Sequence, residues 1–206
     1  KYSVNIPMRY YYKGKFRKGW VSISNPFRGT WVVGTPGSGK TFSIIEPFIR
    51  QHSAKGFAMV VYDYKFPTLA TKLYYHYKLN EKLGRVPKGC KFNMINFVDV
   101  EYSRRVNPIQ AKYINNLVLE TDNEVAPLLG PFQTAFRNKA MEQLEGMIGT
   151  LRVYTSRLAT KESYWIFHRD GDDFDLKVSD PKNPSYLLIA NDPEMESIIG
   201  ALNALI

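Results

Sequence analysis

Residues 34 to 41 read Gly-Thr-Pro-Gly-Ser-Gly-Lys-Thr and stand directly behind the apolar run Trp31-Val32-Val33. No other stretch limits the fold so tightly. The spacing satisfies G-x-x-x-x-G-K-[ST], in which glycines let successive backbone N–H groups turn inward and leave no Cβ in the path of an oxyanion. A helix expected to begin near Lys40 would aim its positive end at the same point. Lys40 would reach the β- and γ-phosphates of a nucleoside triphosphate, and the Thr41 hydroxyl would take one position on Mg²⁺. Gly34, Thr35, Pro36, Gly37, Ser38, Gly39, Lys40 and Thr41 are therefore the candidate nucleotide site, with ATP and Mg²⁺ as the expected ligands.

Such a loop works only between a strand and a helix, and the flanking sequence supplies both patterns. "TWVVG" reads as a buried strand ended by Gly34, and "KTFSIIEPFIR" follows with Phe42, Ile45, Phe48 and Ile49 at helical spacing. "GFAMVVYDYK" gives a second strand, "KFPTLATKLYYHYK" a helix with Leu69, Leu73 and Tyr77 in register, and "KFNMINFVDV" a third strand. This alternation predicts an α/β fold, a mostly parallel sheet flanked by helices. From Lys112 to about Thr160 the pattern turns helical, and Phe136, Ala140, Leu144, Met147, Ile148 and Leu151 form a stripe expected in the core. "SYWIF" and "SYLLIA" read as a return to strands. Near the end, Asp192 is an N-cap candidate ahead of Pro193, and the helix it opens runs apolar to Ile206, which suggests that the functional chain continues.

Composition narrows the partners. Lys and Arg number 28 against 19 Asp and Glu, giving +9 and a pI of about 9.5, so a polyanion such as nucleic acid or an acidic membrane surface is favoured. The first twenty residues alternate basic and aromatic side chains, which fits either a single-strand binder or a peripheral hairpin with snorkelling lysines. No run approaches the ~18 apolar residues that cross a bilayer, and the chain is expected to be soluble. The single cysteine, Cys90, has no disulfide partner and fits a reducing compartment as a small packed hydrophobe.

Asp63 falls at the carboxyl end of the second strand, where open α/β sheets place ligand-binding residues. It is a candidate for the catalytic and magnesium shell, with Lys65 near a phosphate; the competing reading is a helix cap or a salt bridge to Lys65. No glutamate follows it to activate a water. "HRD" at His168 to Asp170 lacks the rest of a kinase catalytic loop, "DGDDFD" fails calcium-loop spacing, and His52 and His76 have no companions at metal-ligand spacing.

Taken together, the phosphate loop preceded by "NPFRGT", then "VVYDYKFPTLA", "RVNPIQ", "YWIFHRDGDDFDL" and "DPKNPSYLLIANDPE", resemble the TraG/MobC-type coupling proteins of bacterial conjugation. These belong to the type IV secretion coupling ATPases. The resemblance implies a P-loop NTPase core of RecA/FtsK type and a hexamer on the cytoplasmic face of the inner membrane, with its anchor outside this chain. It also implies partners: single-stranded DNA carried by a relaxase, and the proteins of the secretion channel. Asp63 with Lys65 matches the family's aspartate-x-lysine turn, and Asn107-Pro108 its asparagine-proline turn. The implied organisation is an N-terminal segment over 1–30, the first part of the core over 31–111, a helical link over 112–160 and a return to the core over 161–206. The all-α subdomain is reduced or missing, and the family's aspartate-glutamate pair falls beyond Ile206, so nucleotide binding without turnover is expected of the segment alone. An arginine finger from a neighbouring subunit is expected, with Arg104 and Arg105 as weak candidates. Two alternatives stay open on the residues: a cytosolic P-loop kinase or transferase, and a ring scaffold stabilised by nucleotide.

Overall fold

A computed structural model of the chain describes residues 2–106, 130–167, 173–204 and 206. The chain divides into two compact units, Lys1–Asn93 with Lys177–Ala190 and Met94–Leu176 with Asn191–Ile206. Asn107, Pro108, His168 to Asp170 and the start of the expected helical link lie outside the described residues.

A hairpin opens the first unit. β1 (Val4–Tyr12) and β2 (Lys15–Ile23) pair antiparallel from Val4↔Ile23 to Tyr12↔Lys15. The two linking residues have positive φ, +47° at Lys13 and +76° at Gly14, the combination of a type I′ turn whose twist suits the strands. In β1 only Val4 and Ile6 are buried, so the basic and aromatic half of the ribbon stands in solvent. Its root is fastened to α1 (Glu46–Ala54). The Asn5 N–H donates to Gln51 Oε1 at 3.0 Å, and Gln51 Nε2 donates to the Asn5 carbonyl at 2.8 Å. One side-chain amide thus replaces a neighbouring strand. Lys55 Nζ adds a bond to the Ser3 carbonyl.

β3 (Met59–Asp63), β4 (Lys91–Ile95) and β5 (Ser185–Ala190) form a parallel sheet in the order β3-β5-β4, so the expected α/β sheet with flanking helices is present. β3 and β5 pair from Met59↔Tyr186 to Asp63↔Ala190. The connection after β3 is α2 (Thr68–Lys82), which packs on α1 and on β3. Ile49, Leu73, Tyr77, Tyr186, Leu187 and Leu188 are buried between these elements. A polar knot lies among them. Ser53 Oγ donates to the His76 carbonyl at 3.2 Å and accepts from Asn80 Nδ2 at 3.1 Å and from the Tyr186 hydroxyl at 3.3 Å. The serine hydroxyl thereby uses its one donor and both acceptor positions, tying α1, α2 and β5 together. Burial raises the Tyr186 phenol above its ordinary pKa, which keeps it a neutral donor.

The expected strand at "TWVVG" does not form. Residues 31–35 make no ladder, and Trp31 and Val33 are 91% and 80% exposed. An apolar run becomes a strand only against a partner edge, and Trp31 to Val33 pair with none, although β3 ends the sheet with β5 on one side only. Helical spacing after the loop is also offset. The chain opens with a π-turn over Thr41–Ile45, in which the Glu46 N–H reaches back to the Thr41 carbonyl. The residue so inserted shifts Phe42 away from the face of Ile49, leaving Phe42 exposed while Ile49 is buried.

In the second unit, α3 (Met141–Ser156) buries none of its residues. The stripe from Phe136 to Leu151 is therefore not core in this structure: Phe136, Ile148 and Leu151 are exposed. A turn with Lys139 at φ +53° separates Phe136 from α3, so the six residues do not share one helix. "SYWIF" is helix, not strand. α4 (Lys161–Ile166) starts on Thr160, whose side chain accepts from the Ser163 N–H at 3.1 Å, and it buries Ser163 and Ile166 at a spacing of three. Asp192 accepts from the Glu194 N–H at 2.9 Å, capping a 3-10 turn at Pro193–Met195 that leads into α5 (Glu196–Asn203).

Candidate nucleotide site

The run from Gly34 to Thr41 lies wholly in the first unit. A tight turn closes it, with the Ser38 N–H on the Thr35 carbonyl at 3.2 Å. Gly37 and Gly39 stand at φ +78° and +79°, backbone that a side chain strains to enter, and nothing lies within 4 Å of where a Gly37 Cβ would be. Lys40 Nζ donates to the carbonyls of Gly34 at 2.6 Å and Thr35 at 2.8 Å, so the ammonium is folded over its own loop. The Ser43 N–H bonds to the Gly39 carbonyl at 2.8 Å, leaving the amides before it outside the helical ladder. A cation held over a glycine-rich turn at a helix start suits a phosphate group, and Thr41 is the first residue of the π-turn that follows.

Asp63 stands at the end of β3 and is buried. Its Oδ2 accepts from the Leu69 N–H at 2.8 Å and the Ala70 N–H at 2.9 Å, both in the first turn of α2. The observed work of that oxygen is to cap α2, seven residues or fewer downstream, with its charge against the positive end of the helix. Lys65 is exposed, and its carbonyl accepts from the Thr68 N–H at 3.0 Å. The Phe66–Pro67 peptide between them is cis. Beside the loop, Val32, Ile45, Phe48, Val60 and Leu69 line an apolar groove of about 600 Å³ to which none of Gly34 to Thr41 contributes.

His52 and His76 both titrate below the ordinary histidine value. Burial is the larger cause in each, helped by Lys55 for His52 and by Arg50 for His76. Both are therefore neutral near pH 7, and no cluster of three or more possible metal-binding side chains occurs among the described residues. In the second unit Arg105 is committed to Asp173. Its N–H donates to Oδ2 at 2.8 Å and its guanidinium to Oδ1 at 3.3 Å, while the Asp173 N–H returns a bond to the Arg105 carbonyl at 2.9 Å. Burial alone would raise the Asp173 pKa, but these donors, with Arg104 nearby, hold it below the usual carboxylate range. The guanidinium also lies 5.9 Å from the Trp165 ring. Arg105 is thus an internal clamp in this structure, a role that weakens it as an arginine finger. No helix among the described residues is long and apolar enough to cross a membrane.

No family model, curated protein or solved structure matches the chain. What sequence reasoning missed lies at the root of the ribbon, where Arg50 and Gln51 of α1 meet Asn5, Trp20 and Ser22 around a hollow of about 420 Å³. No local pattern marks a pairing that joins residues 46 positions apart.

Proposed function

We propose that this chain is the nucleotide-binding core of a conjugative coupling ATPase, a P-loop NTPase that binds ATP with Mg²⁺ and couples hydrolysis to delivery of relaxase-bound single-stranded DNA to a type IV secretion channel. One observation carries the reading: a loop with the phosphate-binding sequence holds two glycines in left-handed backbone and its lysine folded onto the carbonyls of Gly34 and Thr35. Under this reading Lys40 exchanges the carbonyls of Gly34 and Thr35 for phosphate oxygens, and the loop amides take the remaining charge. Thr41 supplies an oxygen to Mg²⁺, which when bound neutralises charge developing on the transferred phosphoryl group. Asp63 fixes the start of α2 beside the sheet end that faces the ligand in open α/β folds. The motif sequence "VVYDYKFPTLA" through "DPKNPSYLLIANDPE" supports the coupling-protein assignment by resemblance.

The test is ATP hydrolysis by the full-length protein with single- and double-stranded DNA titrated in and Lys40→Ala as control. Stimulation by DNA that disappears in the variant is the expected result. Hydrolysis indifferent to DNA overturns the DNA-motor form of the reading and favours a transferase.

A further inference from the structure

We propose that one face of the β1–β2 ribbon, centred on Trp20, is a binding surface for single-stranded nucleic acid. This deepens the coupling-ATPase reading by naming where the polynucleotide is held, and it rests on that reading for the choice of polyanion.

The charge argument comes first. Residues 1–45 contain no Asp or Glu, and the stretch Arg9 to Gly19, "RYYYKGKFRKG", holds five cations and four aromatic rings with no aliphatic side chain. In an antiparallel pair, residues directly opposite share a face. One face therefore carries Pro7 with Trp20, Arg9 with Lys18 and Tyr11 with Phe16. Trp20 is 64% exposed and Phe16 71%, which is unusual for rings of that size. Four residues apart on one strand, they stand roughly 13 Å from each other along the ribbon.

The shape argument is independent. Two hollows lie along this face and both are lined by Trp20: one at the root, of about 420 Å³, with Arg50, and one further out, of about 360 Å³, with Arg9 and Lys18. Each places a cation beside the indole. Further out, the Arg9 guanidinium lies 5.6 Å from the Phe16 ring, and Tyr11 meets Phe16 edge-on at 5.2 Å. Rings alternating with cations on an exposed track suit a chain of phosphates with splayed bases, where stacking and charge do the binding.

The same details decide between occupants. A lipid surface would require one side to insert, yet both faces carry cations, Arg9 and Lys18 on one and Lys15 and Arg17 on the other, and the outer half of the ribbon offers no aliphatic side chain to acyl chains. A duplex keeps its bases stacked on each other and leaves the rings unused. Base-reading groups are also spent: Ser22 Oγ donates to Asn5 Oδ1 at 2.8 Å, and the Asn5 backbone is held by Gln51. Binding is therefore indifferent to sequence.

The experiment is fluorescence anisotropy of a labelled oligothymidylate on the full-length protein without nucleotide, with a hairpin duplex and phosphatidylserine vesicles as competitors. Trp20→Ala weakens binding by roughly 5- to 100-fold, while Trp20→Phe, which keeps a ring, restores most of it. Arg9→Ala and Lys18→Ala each lower the slope of log affinity against log salt by about 0.7. Lys88→Ala, a cation outside the ribbon, leaves the slope unchanged. Equal binding by wild type and Trp20→Ala, tighter binding of the duplex, or displacement by vesicles instead of DNA overturns the proposal. DNA-stimulated hydrolysis with unchanged affinity in Trp20→Ala sinks the ribbon alone, whereas ring-dependent binding without any hydrolysis sinks the ATPase reading alone.

Discussion

Replacing Asp63 separates a structural carboxylate from a magnesium-shell carboxylate. In Asp63→Ala the amides of Leu69 and Ala70 lose their acceptor, and the Ala70 amide is bonded in a buried position. A buried donor left without a partner costs about 1–3 kcal/mol, and loss of the charge at the helix start adds about 0.3–1 kcal/mol. Water reaching the more open Leu69 amide offsets part of this, so the start of α2 is expected to lose about 2–4 kcal/mol. Asp63→Asn keeps an oxygen and loses the charge, for a loss of about 1 kcal/mol. Because the damage is local, the direct assay is amide hydrogen exchange at Leu69 and Ala70, where 2 kcal/mol corresponds to about 30-fold faster exchange. The expected order is wild type slowest, then Asn, then Ala, with Tyr77 and Asn80 later in α2 little changed. Exchange in Asp63→Ala within about twofold of wild type refutes the capping argument. If magnesium-dependent ATP binding fails in that variant at the same time, the carboxylate's work is at the metal.

Two further expectations concern titration in the first unit. The unfolded chain takes up protons at His52 and His76 near pH 6.5, which the folded chain resists because of burial and the neighbouring Lys55 and Arg50. Stability from these groups is complete above that pH and is lost as pH falls from it through the lower folded values, so the melting temperature drops on acidification below about pH 6.5. A His52→Gln, His76→Gln double variant flattens this dependence, and an unchanged slope refutes the assignment. Burial, and then Glu81, push the Cys90 thiol up to about 11. At pH 8 about one thiol in a thousand is then ionised, and iodoacetamide labels the chain only after urea is added; rapid labelling of the native chain shows the side chain is accessible. The sign is the reverse of the histidines: what Cys90 contributes is present below its ordinary pKa and is lost as pH rises toward 11.

The glycine turn at Gly34 to Thr41 was legible in the sequence because its backbone demand is local, and Gly37 and Gly39 do take left-handed backbone. The sheet was legible where an apolar run had a partner: "VVYD" and "SYLLIA" pair as β3 and β5. Trp31 to Val33 carry the same signal without a partner, and burial is a property of pairs that one run cannot declare. Aromatic content made residues 163–167 look like a strand, yet Thr160 three positions earlier is a helix cap, and the side-chain bond it makes decides the outcome. For α3 the periodicity was real and the covering element was not found among the described residues. Asp63 was placed correctly at a strand end, but position alone could not tell a ligand from a cap. The cap is read from the direction of two amide bonds.

The Gln51 clamp gives the ribbon a mechanical character. Asn5 is the fulcrum, held to α1 by two bonds, and α1 continues the π-turn that begins at Thr41. From Asn5 to Lys13 the strand extends roughly 25 Å, so a tilt of about 10° in the helix carries the turn through about 4 Å. Displacements too small to see at the loop are thereby magnified about as far as the ribbon is stiff. A spectroscopic label at Lys13 would report on displacements at Lys40 without altering the loop from Gly34 to Thr41.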